Sequence, residues 1–176
     1  MKLSKLAFPI VFGVLAFGAS QMASAAINVP LVLSATVHGF PDLFTDNVLA
    51  ASASDNIRYA VNGAPIGGGR SGVIVEFDAV NPILRSVRPG RITIRTEARL
   101  RPTGNVNVFL YNWANDSYVG LGPMLFDGID RTRTLAIGTN VRRFINEVGG
   151  IRVRLESRTA GRPHRFELDR LQVLVD

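Results

Sequence analysis

The chain contains no cysteine. Disulfides, thiol nucleophiles and cysteine-ligated metals are therefore excluded, and the fold must hold by core packing alone. Lysine is nearly as scarce: Lys2 and Lys5 are the only two, and every later cation is an arginine. Histidine occurs at His38 and His164, tryptophan only at Trp113. Both histidines sit in turn-like stretches, so no Ser-His-Asp constellation is placed, and there is no Gly-x-Ser-x-Gly elbow. The glycine run Gly67-Gly68-Gly69-Arg70-Ser71 lacks the Gly-Lys-Ser ending of a phosphate loop. A glycosidase needs two facing carboxylates, which spacing alone does not reveal, so a hydrolase ranks last among the functional readings.

Long apolar runs are also lacking after the first residues. Leu6 to Gly18 is the longest, with Pro9 and Gly13 inside it, and it is shorter than the ~20 residues of a membrane span. Lys2 and Lys5 precede it and Ala23-Ser24-Ala25 follows it. This pattern predicts a signal peptide over 1–25, cut after Ala25, and export to the periplasm or the cell exterior. Residues 26–176 then form a single domain. Loss of the two lysines lowers the formal charge from +6 to +4. An excess of that size permits acidic partners without demanding them.

What the chain does have is alternation. Ile92, Ile94, Thr96, Ala98 and Leu100 fall on one side of a strand, with Arg91, Thr93, Arg95, Glu97, Arg99 and Arg101 on the other. Period 2 is what a half-buried strand requires. A second strand runs to Tyr111-Asn112-Trp113, and Asn115-Asp116 turns it into a short return strand, 117–121. Further strands are expected over 27–37, 56–61, 73–77, 131–137, 151–155 and 165–175. The glycine-rich stretch 62–72 reads as a loop, and so does 122–130. Val141, Phe144, Ile145 and Val148 repeat at helical spacing before Gly149-Gly150, predicting one short helix over 140–148. In the last strand Phe166 and Leu168 are out of phase with Leu171, Val173 and Val175. One extra residue near Asp169-Arg170 brings all five inward, which predicts a β-bulge. Many short strands and one short helix make an all-β, antiparallel β-sandwich.

The order of segments carries a resemblance. An I-x-I-x-x-E-A-R strand (92–99) precedes V-x-V-F-L-Y-N-W (106–113) and a Tyr-containing return strand. A helical turn ending in Gly-Gly, an I-R-V-R-L-E-S strand (151–157) and a closing F-E-L-D-R-L-Q-V-L-V strand (166–175) follow. Over about 51–175 this resembles the jelly-roll domains of galactose-binding-like type found in exported bacterial proteins. The resemblance implies a jelly-roll sandwich and a non-catalytic role. Some relatives of that fold bind carbohydrate or calcium.

Three sets of residues are candidates for binding. Tyr111, Trp113 and Tyr118, with Asn112, Asn115 and Asp116 nearby, carry the rings and polar groups that sugar recognition uses. The plain alternative is that Phe109, Tyr111 and Trp113 share a face that seals the sandwich. Arg95, Arg99, Arg152 and Arg154 would make an anionic-polymer face if their strands share a sheet. Cross-strand pairing with Glu97 and Glu156 is the alternative. Asp42, Asp46 and Asp55 in early loops are candidate oxygen ligands for a structural calcium, the one cofactor considered. Nucleic acid is not expected, for want of a recognition helix or a basic-aromatic platform. The reading is an exported, non-enzymatic module that binds carbohydrate or another extracellular polymer. The alternative is a structural or assembly protein of the cell surface or matrix that works through protein contacts.

Overall fold

The computed structural model describes residues 25–42, 48–52, 57–160 and 164–176. The expected signal peptide, apart from Ala25, lies outside the described residues. Among the described residues no helix is long and apolar enough to cross a membrane.

Two antiparallel sheets face each other. The first is ordered β10 (Arg131–Ile137), β7 (Ile92–Arg101), β12 (Arg165–Val175), β4 (Tyr59–Asn62) and β3 (Phe40–Pro41), with β1 (Ile27–Val29) also on β12. The second is ordered β2 (Leu31–His38), β6 (Arg70–Val80), β11 (Gly150–Ala160), β8 (Gly104–Asn112) and β9 (Ser117–Phe126), with β5 (Ala64–Gly67) also on β6. The expected β-sandwich is thus present, and alternation builds it. Val73, Val75, Phe77 and Ala79 of β6 point inward, as do Val106, Val108 and Leu110 of β8 and Ile151, Val153 and Leu155 of β11. Ile92, Ile94, Ala98 and Leu100 of β7 meet them from the first sheet.

The expected bulge is present. The β12–β7 register shifts between Leu168 and Arg170, and Phe166, Leu168, Leu171, Val173 and Val175 are all buried. Without the extra residue, the second half of β12 would turn its apolar side chains to solvent.

Four expectations need correction. The segment 27–37 is not one strand. β1 pairs with β12 and β2 with β6, in different sheets. Pro30, whose nitrogen has no proton to donate, stands at the crossing, and its carbonyl accepts from Val80 N at 2.9 Å. The glycine-rich stretch is not a loop throughout. β5 pairs with β6 across a tight turn in which Gly67, Gly68 and Gly69 all have positive φ, the conformation that favours glycine. β9 continues to Phe126 instead of ending at 121. The expected helix over 140–148 is a four-residue 3-10 turn, Val141–Phe144. Val141, Phe144 and Ile145 are buried, but Val148 is exposed. The chain leaves the turn at Ile145 in extended conformation. The Asn146 side chain then accepts from Val148 N at 3.0 Å and Gly150 N at 2.6 Å, a local geometry that competes with helix. Two further 3-10 turns, Val48–Ala51 and Pro82–Arg85, complete the described helical residues.

Candidate functional site

The outer face of the second sheet follows from register. Arg152 stands opposite Asp78 and Arg154 opposite Glu76 on β6. Arg154 stands opposite Phe109 on β8. Tyr111 stands opposite Tyr118 on β9. Directly opposed residues share a face, so acids, arginines and aromatic rings run side by side across the sheet.

This decides between the two readings of Phe109, Tyr111 and Trp113. They do not seal the core; Val106, Val108 and Leu110 do that, and the three rings lie partly exposed on the outside. Tyr111 meets Trp113 edge-on with centroids 4.8 Å apart, and Tyr118 likewise at 5.1 Å. Such pairs add about 0.5–1.5 kcal/mol beyond their burial. The Arg152 guanidinium lies 5.6 Å from the Tyr111 centroid and 5.4 Å from that of Trp113. That of Arg154 lies 3.7 Å from Tyr118.

The arginines are held in turn by acids. Arg152 donates to Asp78 through Nε at 2.7 Å and Nη2 at 3.1 Å. Arg154 donates to Glu76 Oε1 through Nε at 2.8 Å and Nη2 at 2.6 Å, and the Tyr118 hydroxyl donates to the same oxygen at 2.6 Å. Burial first, and the bond to Glu76 second, push the Tyr118 phenol up to about 12. The hydrogen bond to Asp78 raises Arg152 above the ordinary guanidinium value against its own burial. Desolvation, then the charge and hydrogen bond of Asp116, raise Tyr111. Tyr118 and Arg152 are therefore fixed donors throughout the physiological range.

Clefts surround Trp113. One of about 530 Å³ lies between Trp113, Ala114, Arg142, Arg143 and the chain from Ile145 to Val148. One of about 240 Å³ runs on its other side past Val80, Asp78, Arg152, Val148 and Leu33. A third of about 100 Å³ continues over Leu33, Ala35, Glu76, Asp78 and Arg152. Trp113 lines both of the first two, together with Asn146 and Val148. Its backbone N–H donates to Arg143 O at 2.9 Å, which ties the ring to the 141–148 segment. The indole Nε1 and Arg143 Nε are buried without a hydrogen-bond partner. An arrangement of that kind costs about 1–3 kcal/mol per group and calls for an explanation.

The remaining candidates fall elsewhere. Asn112 is buried, because alternation turns it inward, and its Oδ1 accepts from Ala114 N at 3.0 Å. It shapes the hairpin and does not face a ligand. Asp116 sits in the turn at φ 50° and accepts from the Tyr111 hydroxyl at 3.2 Å. The four arginines do not form one face. Arg95 and Arg99 lie on β7 of the first sheet and Arg152 and Arg154 on β11 of the second, on opposite outer surfaces. The β11 row is neutralised by Asp78, Glu76 and Glu156. Arg99 and Arg165 share Glu167, and Arg158 pairs with Glu156. Burial alone would raise the Glu167 carboxyl, but the hydrogen bonds from Arg99 and Arg165 outweigh it and hold it below its ordinary value. Asp46 and Asp55 lie outside the described residues, and Asp42 accepts from Arg165 Nη2 at 3.3 Å. No three potential ligand side chains converge among the described residues. His164 is buried against Ser157 Oγ at 2.8 Å, and burial lowers its pKa.

Sequence reasoning missed Glu76, Asp78, Asn146 and Val148. A signal existed for the first two. In Val73 to Val80 the residues Val73, Val75, Phe77 and Ala79 claim one face, which leaves both acids on the other.

No family model and no curated protein matches the chain. Among solved structures it is similar to a carbohydrate-binding module, TmCBM61, in complex with β-1,4-galactotriose, at 8% identity and TM-score 0.45 over 81% of this chain and 88% of that one. A CBM4 structure aligns at 14% identity and TM-score 0.39 over 72% and 84%. A family 29 carbohydrate-binding module aligns at 13% and 0.39 over 81% and 90%. At these scores the overlays bear on neither ligand nor site.

Proposed function

We propose that the protein is an exported, non-catalytic module that binds a glycan chain across the outer face of the second sheet. One observation carries this reading: a partly exposed Trp113 lines two clefts. Sugar rings offer an apolar face that stacks on such a ring and an edge of hydroxyls that needs hydrogen bonds. Asp78 and Arg152 on one side, and Asn146, Glu147 and Arg142 on the other, supply acceptors and donors within the same clefts. Arg152 and Asp78 hold each other bidentately, so those groups are oriented before a ligand arrives, which lowers the entropic cost of binding. The arginines of β11 are matched one for one by Asp78, Glu76 and Glu156. That balance favours recognition through hydroxyls over recognition of an anionic polymer.

A glycan array read with the purified protein and its Trp113→Ala variant tests this. The chain has a single tryptophan, so its fluorescence reports on this site alone. Binding to neutral oligosaccharides, a fluorescence change on titration and a loss of at least tenfold in Trp113→Ala are expected. Trp113→Phe, which keeps a ring, should retain part of the affinity. A folded Trp113→Ala variant that binds the same glycans as well as wild type would overturn the reading.

A further inference from the structure

The two larger clefts beside Trp113 differ in how their arginines are matched. In the smaller one Arg152 and Asp78 hold each other. The cleft of about 530 Å³ is lined by Arg142, Arg143 and Glu147, and none of the three forms an ion pair among the described residues. Arg142 is exposed, and its Nη1 donates to Ile145 O at 2.8 Å. Arg143 is half-buried, its guanidinium lies 4.7 Å from the Phe144 ring centroid, and no acceptor meets it among the described residues. Its Nε is covered and unpartnered, and so is the indole Nε1 of Trp113 in the same cleft. The other two nitrogens of the Arg143 fork are not covered.

Both orphan atoms are N–H donors. What offsets two desolvated donors is an acceptor, and a charged acceptor does so best. The covered nitrogens need not touch it. N–H dipoles shielded from water raise the potential around them, and the open edge of the Arg143 fork lies where that potential is unopposed by a bonded acid.

We infer that this cleft takes a carboxylate, carried by a uronate unit of the bound glycan, with Nη1 and Nη2 of Arg143 as its donors and Trp113 against the sugar ring. The inference rests on the glycan reading above and adds a substrate class to it: a largely neutral chain that presents one acidic residue here. A carboxylate is planar and matches the guanidinium fork through two parallel bonds. The Phe144 ring beneath the guanidinium holds the fork in place. Two arginines against one glutamate leave the cleft with an excess of one positive charge. The β11 row offers no second anion site, because Asp78, Glu76 and Glu156 already occupy its arginines. Glu147 is exposed on the same cleft and opposes the incoming carboxylate, which supplies a test of its own.

Matched tetrasaccharides of glucose, galactose and mannose, each neutral and each ended by the corresponding uronate, are titrated against Trp113 fluorescence. At least one uronate-ended form should bind about ten- to a hundredfold tighter than its neutral partner, the range for a hydrogen bond to a charged group. The preference should shrink in high salt. Arg143→Gln should bring the two affinities together. The bond that ties Trp113 to this segment goes to the Arg143 backbone carbonyl, so it survives the substitution. Arg143→Lys keeps the charge without the fork and should recover only part of the preference. Glu147→Gln should enlarge it. Arg70→Gln removes an exposed charge at the far end of β6, opposite Ala160, and should leave it in place.

Binding of neither form overturns the glycan reading and this inference with it. Equal affinity of the wild type for both forms overturns this inference alone. Equal losses of preference in Arg70→Gln and Arg143→Gln make it a general attraction to a basic protein and overturn the site. A sulfate-ended form that binds tighter than the uronate overturns the planar fork.

Discussion

Replacing Arg152 with alanine tests whether the acid–arginine–ring ladder is one unit. Arg152 makes two charge-assisted bonds to Asp78, at 2.7 and 3.1 Å, and lies against two rings at 5.4 and 5.6 Å. The side chains are 33% and 24% exposed, so the pair belongs neither to the free surface nor to the core. Exposed ion pairs contribute about 0.2–1 kcal/mol, and bidentate geometry puts this one near the top of that range. The ring contacts lie near the distance limit, so together they add about 1 kcal/mol. Arg152→Ala should therefore cost about 2 kcal/mol, which for a domain of this size lowers Tm by about 4–8 °C. Asp78→Asn keeps the shape and loses the charge, and should cost about 1 kcal/mol.

The double variant separates this account from simple loss of packing. If Asp78 acts through Arg152, combining the changes costs less than their sum by about 1 kcal/mol, beyond the 0.3–0.5 kcal/mol scatter of independent sites. Urea denaturation of the four proteins, at low salt and again in 1 M NaCl, measures it. The coupling should shrink in salt, where the Debye length falls to about 3 Å, while the ring contribution should persist. Trp113 emission should shift in Arg152→Ala and stay in place in a distant surface variant. Additive costs at low salt would refute the idea of a ladder, and unmoved emission would refute the claim that Arg152 positions the ring.

Two further outcomes follow from the same sheet and its neighbour. The Tyr118 phenol lies above its ordinary value of 10, at about 12, so the stability it contributes is fully present below pH 10 and is lost as pH rises through about 12; the tyrosinate absorbance step near 12 should vanish in Tyr118→Phe, and its persistence there would assign the step to another residue. Gly149 has φ 80°, and a Cβ there would lie 2.2 Å from Asn81 O, whereas Gly67 has φ 86° with nothing within 4 Å. Gly67→Ala should cost about 1 kcal/mol for the backbone alone and Gly149→Ala distinctly more by chemical denaturation, equal costs being the result against the packing argument.

The strands were legible wherever one face was charged. β7 and β11 alternate arginine or glutamate with aliphatic residues, and each was located from that pattern alone. The bulge at Asp169 was legible because two apolar phases in one strand have only one economical solution. β8 was different. Val106, Val108 and Leu110 on one side and Phe109, Tyr111 and Trp113 on the other are both apolar, so periodicity finds the strand without saying which face is inside. The partner strands settle it. Arg154 is opposite Phe109, and an arginine row that pairs with Glu76 and Asp78 keeps to the outside. That information is non-local, carried by register and not by any window of sequence. The same limit hid the division at Pro30, since both halves of 27–38 are good strand sequence and only their partners differ. It also hid the clefts, whose walls come from the 141–148 segment, where Asn146 replaces helix with a side-chain-bonded turn.

The ladder also constrains how the proposed recognition on this face would work. The three β11 arginines and their acids satisfy one another, so the face offers a ligand little net charge. It offers ring surface, two rigid guanidinium planes and carboxylate lone pairs not used by arginine. In the proposed glycan site such a surface would discriminate by the placement of hydroxyls around an apolar patch, because a misplaced hydroxyl leaves a desolvated polar group unpaired, at about 1–3 kcal/mol. Rigidity is what makes that penalty selective. If Arg152 moved freely, it would follow a misplaced hydroxyl and the penalty would be lost. On the proposed reading, the bidentate hold of Asp78 on Arg152, and the hold of Glu76 on Arg154 and Tyr118 together, would be what turns an aromatic patch into a site able to discriminate.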